Sequence, residues 1–560
     1  VQDNTIMFSL YILQVEILGQ FLLTNTKSFC VFQLSCYVLI NFPYNERCNI
    51  VRHIPECMDK DFFFNYMSLL YCDLRPNNAI EQAFALLVLV FIMLFMFAIL
   101  GIVADKFFCP TLKVFSLVMG MSEHLAGVTL LALGNGSPDI LTSLANLGDT
   151  GGGNFSNLMA SGFYVSTFVG GLICLMYPFH IQPFNTVRDI CFLVFGALYL
   201  EYIMESDETI SLAESISVIV LYVCYITTIL LDQYLLTRSM KQITQDILEQ
   251  MRQEVRMDLI VSNTSVDKEI TRRNSYNETQ PKNALLFRQF LEALNPIDAK
   301  VWAQSSKFAR VTMVMTAPII FALTIIIPSV DYEKDRHGWS KLLNTIQLVT
   351  TPMLIAVLSI PLFVYTACFT VPMAIVIFLL TRTDLPPRFH AALGLYSIVS
   401  SIFMIFSSAN EVVNILDVIG LASGSSRAFL ASTVLSWGNS LGDLIANLTI
   451  ARQGYQKMGF AACIGGPLFS EFLKNICDRK IESSHGMLGQ NSVIFMSLSL
   501  MLALFGMVST GFEARRSIGV FCVTMYVLAF VYALLGELGM ARTYATDIPS
   551  GLSDRLIDAR

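Results

Sequence analysis

The sequence predicts an all-α polytopic membrane protein, with two inverted-topology repeats of five transmembrane helices each, joined by a soluble loop and extra membrane segments. Three observations predict it. Of 560 residues, 54 % are hydrophobic and only 14 % charged, and apolar runs of 18 or more recur along the chain, too many for an ordinary soluble domain. A polar motif inside one such run, LALGNGSPDI at 131–140, returns as LSWGNSLGDL at 435–444. The basic loop residues gather on one face only if the two halves enter the membrane from opposite sides.

Residues 1–78 precede the first strong span and hold five of the 13 cysteines. Cys36, Cys48, Cys57 and Cys72 bracket a polar stretch, which suggests a small disulfide-stapled segment on an oxidising side, with three pairings open. No basic n-region and no Arg-rich presequence is visible at the start. The first half, 79–231, reads as spans near 79–103, 114–147, 155–177, 187–204 and 211–231. Residues 232–307 are polar and rich in Lys and Arg, and so form a large inner loop with some helix. Extra membrane segments occupy 308–381, where the charge rule is met if 343–381 crosses once despite Pro352, Pro361 and Pro372. The second half, 389–540, has spans near 389–416, 424–451, 457–476, 491–510 and 516–540, and a tail follows over 541–560.

The chemistry sits in the repeated segments, 114–177 and 424–476. Asn135 and Asp139 recur as Asn439 and Asp443, each 304 residues on, and Thr129 and Gly134 recur as Thr433 and Gly438 at the same offset. A carboxylate at mid-membrane depth costs several kcal/mol, so two of them in equivalent places point to ion handling. Gly134, Gly136 and Pro138, and Gly438 and Gly442, should kink both helices and expose carbonyl oxygens. Amide and carboxylate four residues apart share a helix face, so Asn135, Asp139, Asn439 and Asp443, with the exposed carbonyls, compose a hard-oxygen cage suited to Ca2+ and Na+. Gly162 and Ser166, and Gly466 and Ser470, stand in the next span of each half. The glycines read first as close helix packing and the serines as equally good ligands or packing. Glu471 is a further acid near the membrane, and Glu123 and His124 stand at the start of a span.

These motifs resemble the alpha-repeats of the cation/calcium exchanger superfamily. GNSLGDLIANLTIARQGYQKMGFAACIGG, ERCNIVRHIPEC, KFFCP, HLAGVTLLALGNG and NEVVNIL are similar to the mitochondrial sodium/lithium/calcium exchanger branch. The resemblance implies antiport of Ca2+ against Na+, with Li+ as an alternative, by alternating access, with Asn135, Pro138 and Asp139, and Asn439, Ser440 and Asp443, at the ion sites, and with no cofactor and no enzymatic activity. It implies the mitochondrial inner membrane, the plasma membrane and endomembranes being the other compartments. Ser470 departs from that branch, which tends to carry Asn there. From other classes, an intramembrane aspartyl protease also needs two membrane Asp residues, and SLGD at 440–443 comes near its motif, but no PAL triplet occurs. A Ca2+-permeable channel is the third reading. The expected partners are the lipid bilayer and small inorganic cations, with no basic tract suited to nucleic acid. RRNS at 272–275 resembles a kinase site at Ser275. Asn263 and Asn277 begin glycosylation sequons that the topology keeps inside. His53, His180, His337, His390 and His485 have no metal-ligand spacing.

Overall fold

The computed structural model describes residues 43–54, 64–136, 154–206, 212–258, 285–297, 299–331, 338–356, 360–383, 390–423, 427–477 and 487–538, with isolated positions such as Cys57 and Asn283. The first half comprises α1 (Tyr44–His53), α2 (Ala79–Val118), α3 (123–136), α4 (154–176), α5 (Pro183–Ser206) and α6 (Leu212–Asp258). Between the halves stand α7 (Leu286–Leu294), α8 (Ala299–Gln304), α9 (Lys307–Ile326), α10 (Lys341–Ala356) and α11 (Ile360–Leu380). The second half comprises α12 (His390–Ser423), α13 (427–439), α14 (Leu441–Arg452), α15 (Gln456–Cys477), α16 (Met487–Ser509) and α17 (Arg516–Glu537). Among the described residues eight helices are long and apolar enough to cross a membrane. The motif helices α13, α14 and α15 are not among them. Helices α13 and α14 are each too short to span singly, because the helix breaks at Ser440.

One end of the bundle is marked by a clasp. Strand β1 (Phe179–His180), after α4, pairs antiparallel with β2 (Glu513–Ala514), after α16, and Ile181 N–H donates to Phe512 O at 3.0 Å. His124, Phe179, Asp189 and Lys457 line one pocket there, so the turns before α3, after α4 and after α14 share this end. Hence α3 begins where α14 finishes, and the halves are inverted. Arg188, Arg452, Lys457, Arg515 and Arg516 mark this as the inner end by the positive-inside rule. The Arg515 guanidinium, with His180 adding to it, holds the Glu513 carboxyl below the usual carboxylate range. A lowered folded pKa means this ionic support is present above the ordinary Glu range and is lost as pH falls through the folded value. Arg452 and Asp105 pair at 3.1 Å with the arginine side chain 64 % exposed, so Arg452→Gln should shift the melting midpoint by the equivalent of under about 1 kcal/mol.

The segment 343–381 holds more than one helix, and among the described residues only its second, Phe363–Leu380, is long and apolar enough to cross a membrane. It forms two helices, α10 and α11, and the Trp339 indole N–H donates to Arg382 O at 3.0 Å, so both ends of the pair meet. Lys341 Nζ donates to Asn283 Oδ1 at 2.7 Å, bringing the start of this pair back to the end of the long loop. Val330, Trp339 and Leu393 pack with Val114 near the inner end of α2. Leu393, near the start of α12, thus stands by the inner end of α2, as the inversion requires. The pair is held by backbone carbonyls: at the end of α9, Gln347 Nε2 donates to Thr324 O at 2.6 Å and to Ile327 O at 3.0 Å, beyond what Pro-marked apolar sequence reveals. Helix α6 has 47 residues, about 70 Å at the α-helical rise, so it runs well past the membrane into the segment read as loop.

At the opposite end the N-terminal segment forms a cap. The structure pairs Cys48 with Cys72, and Cys57 is also disulfide-bonded; Cys36 lies outside the described residues. Val51, Ile54, Tyr66 and Leu70 of the cap pack on Leu89 of α2 and on Ile415 and Val418 of α12. Arg47 stacks on the Tyr44 ring and donates to Gln82 Oε1 at 3.3 Å. Closing this 24-residue separation should stabilise the cap by about 3 kcal/mol. Cys72→Ser is therefore expected to speed cleavage by added protease within the cap in sealed liposomes, and an unchanged cleavage rate would count against it.

Candidate functional site

Helix α3 starts under a Ser122 cap, whose side chain accepts from Leu125 N–H at 3.3 Å. It widens into a π turn over Gly127–Leu131 before reaching Asn135. Helix α13 repeats the device 304 residues on, with a π turn over Ala431–Leu435. In both turns a threonine bonds back one turn at 2.5 Å, Thr129 Oγ1 to Leu125 O and Thr433 Oγ1 to Phe429 O. Such bonds compete with the helix ladder, and π turns loosen the backbone near a site. Helix α13 then breaks at Ser440 (φ −91°, ψ 8°) and restarts as α14, with Asp443 in the first turn where the helix dipole favours a negative charge.

Glycines set the approach of these helices. A Cβ at Gly134 would strike the Phe108 ring of α2, and one at Gly438 would stand 3.0 Å from Leu416 of α12, so each motif helix leans on the first long helix of its own half. Across the halves, a Cβ at Gly136 would stand 2.9 Å from Phe469 and 3.9 Å from the Ser470 Cβ of α15. A Cβ at Gly466 would stand 3.5 Å from Asp443 Oδ1, so this glycine makes room for the carboxylate.

The polar groups meet across the repeats. Asn135 Nδ2 of α3 donates to Asn447 Oδ1 of α14 at 3.0 Å. Asn447 Nδ2 donates to Cys463 Sγ at 3.4 Å. Ser440 and Ser161 hydroxyls lie 2.5 Å apart, again one from each half. Asn135 is 4 % exposed, yet its Oδ1 accepts no hydrogen bond from the described residues. Asp443 is buried at 8 % exposure. Ser166 Oγ donates to Gly162 O at 2.7 Å and Ser470 Oγ to Pro467 O at 3.2 Å. Each hydroxyl gives its proton to its own helix and keeps its lone pairs free as acceptors.

Of the residues expected from sequence, the structure therefore brings together Asn135, Ser440, Asp443, Gly466 and Ser470. Asn439 is partly buried beside Ser440. Pro138, Asp139 and Ser275 lie outside the described residues, as do Asn263 and Asn277, and nothing is described of the Glu471 side chain. His124, read as a helix start, donates from Nε2 to Asp189 Oδ2 at 2.6 Å, and Arg188 Nη2 meets the other oxygen of Asp189 at 2.9 Å, so it belongs to an inner-end cluster rather than to the motifs. Sequence reasoning missed Asn447 and Ser161. Asn447 extends the i, i+4 stripe of Asn439 and Asp443 by one more step, a signal that was legible. Ser161 directly precedes Gly162 and carries no spacing of its own. Among the described residues no three His, Cys, Asp or Glu side chains converge. The oxygen set there is built from amides, hydroxyls and one carboxylate.

The sequence profile of the family described as Sodium/calcium exchanger protein matches residues 89–231 and 393–535. The chain is 31 % identical over 547 residues to the mitochondrial sodium/calcium exchanger protein of Homo sapiens, covering 90 % of each chain. It is 29 % identical over 541 residues to that of Gallus gallus, again covering 90 % of each. Cation/calcium exchanger 1 of Arabidopsis thaliana is 26 % identical, covering 76 % of this chain and 74 % of its own. Among solved structures, the sodium-calcium exchanger NCX_Mj aligns with a TM-score of 0.42 at 13 % identity, covering 79 % of this chain and 98 % of its own.

Proposed function

The chain belongs to the sodium/calcium exchanger protein family, and from that premise we propose that it moves Ca2+ across a membrane in exchange for Na+, holding the ions where the two motif helices cross. The observation that carries the reading is the Asn135 amide, whose nitrogen is tied across the repeat while its buried oxygen has no donor among the described residues. An unsatisfied buried acceptor costs about 1–3 kcal/mol, and a cation relieves it. Asp443, Ser440, Ser166 and Ser470 supply further oxygens. Asp139 and Asn439 complete the cage by the 304-residue symmetry with Asp443 and Asn135, and Pro138 stands beside Asp139, the two carboxylates balancing the charge of Ca2+.

Sodium ions entering the same oxygens compete with Ca2+ and carry the coupling. An empty site leaves two uncompensated carboxylates in a low-dielectric surround, so only loaded forms alternate readily between faces. Li+, a small hard cation, uses the amide oxygens as Na+ does. The chain is read as a transporter rather than an enzyme. Its kinship with proteins named as mitochondrial exchangers supports residence in the mitochondrial inner membrane, the Cys-rich cap facing the oxidising side.

The test is Ca2+ flux in proteoliposomes with Na+, Li+ or K+ offered on the opposite side. Saturable flux that needs Na+ supports exchange. Ca2+ flux that proceeds at full rate without any counter-ion would sink it in favour of a channel.

A further inference from the structure

A primary amide presents a cation with either an oxygen or an NH2 group, and only the oxygen binds. Asn135 is too buried for water to choose between them, so its neighbours must. Its nitrogen has one partner, Asn447 Oδ1 at 3.0 Å, supplied by the other half of the molecule. Asn447 is itself fully buried, and its own nitrogen is engaged by Cys463 Sγ at 3.4 Å.

We propose that Asn447 is a positioning residue, which holds the Asn135 amide with its oxygen toward the ion and so sets the affinity of the site. The three side chains form a directed relay, Asn135 to Asn447 to Cys463, each giving a proton to the next. Run backwards, the relay would need the Cys463 thiol to donate, would turn both amides over and would present the Asn135 NH2 to the cation. In the structure Cys463 Sγ accepts from Asn447 Nδ2, which is the forward direction. The relay links α3 of one half to α14 and α15 of the other, and so ties the orientation of a ligand in the first repeat to the packing of the second.

The proposal rests on the ion-exchange reading, and the experiment separates the two. Ca2+ is titrated against purified full-length protein in detergent, read as the shift in melting temperature. The same variants are assayed for Na+-dependent Ca2+ flux in proteoliposomes. Asn447→Leu, near in volume but without an acceptor, should raise the half-saturating Ca2+ concentration about tenfold in both assays, the worth of one hydrogen bond of this kind, while the maximal rate falls by less than about threefold. Asn447→Asp still accepts from Asn135 and should not weaken Ca2+ binding, its added negative charge favouring the cation, which also keeps the test valid if the leucine variant fails to fold. In an Asn135→Ala background, Asn447→Leu should add no further loss, since a residue acting through Asn135 has nothing left to orient. An unchanged half-saturation in Asn447→Leu, a tenfold loss in Asn447→Asp, or full additivity with Asn135→Ala would each overturn the proposal. Absence of any Na+-dependent flux in the parent protein, with Ca2+ still shifting its melting, would instead strike the exchange reading and leave the relay standing on the binding data.

Discussion

Asp443→Asn is expected to abolish sodium-dependent Ca2+ flux in proteoliposomes, a loss of at least about a hundredfold, while leaving the protein folded. The substitution keeps shape and size, since an amide replaces a carboxylate of the same outline. It removes one of the two charges that the proposed site sets against Ca2+. The effect should be large because Asp443 is buried at 8 % exposure, where water does not screen the missing charge. Gly466 leaves room beside the carboxylate, so the amide can be received without a clash. Asp139→Asn should behave alike by the repeat symmetry. Retention of most of the flux in either variant would remove the motifs from the site.

The largest loss of stability is expected away from the site, at Gly519. Helix α17 crosses α4 there so closely that a Cβ on Gly519 would stand 2.5 Å from Leu175 N, 2.6 Å from Gly171 O and 2.8 Å from the Leu175 Cα. Gly171 mirrors it, with a Cβ placed 2.7 Å from the Cys522 Cβ. The atoms facing Gly519 are backbone, which cannot swing aside as a long side chain can. Gly519→Leu must push α4 and α17 away from each other, although both lie in the largest buried cluster, with Ile173, Cys174, Ile518 and Cys522. The expected destabilisation is about 3 kcal/mol or more, by overpacking and lost helix contact. It would appear as a lower melting temperature in detergent and a poor yield of monodisperse protein. An unaltered melting curve would mean that the two helices do not meet as described.

Much of the architecture was legible because membrane insertion leaves few choices. The 304-residue offset located both motif helices, and loop charges gave their opposed entry. The same offset recurs in the π turns at Gly127–Leu131 and Ala431–Leu435, which sequence alone does not reveal because no residue type marks a π turn. The two-helix arrangement of 341–380 was not legible, since a long apolar run with three prolines fits one bent crossing or two short helices. Strands β1 and β2 are two residues each, too short for any alternation to register. In the candidate site, residue types and spacing single out Asn135 and Asp443, whereas Asn447 and Ser161 stand out through partners about 300 positions away. Their meaning lies in which helices cross, and that is a tertiary fact.

The clasp and the Asn135–Asn447 bond join segments more than 300 residues apart, and this bears on how the chain is made. At about 5–20 residues per second, translation from one asparagine to the other takes roughly 15–60 s. Through that interval the first five helices sit in lipid with a buried amide and a carboxylate that have no counterpart yet. The nascent first half is thus an unfinished surface rather than a folded domain. Maturation is set by the arrival of α14 and α15 more than by insertion of any single helix, and a ribosome stalled between the halves would leave a fragment for membrane quality control to remove.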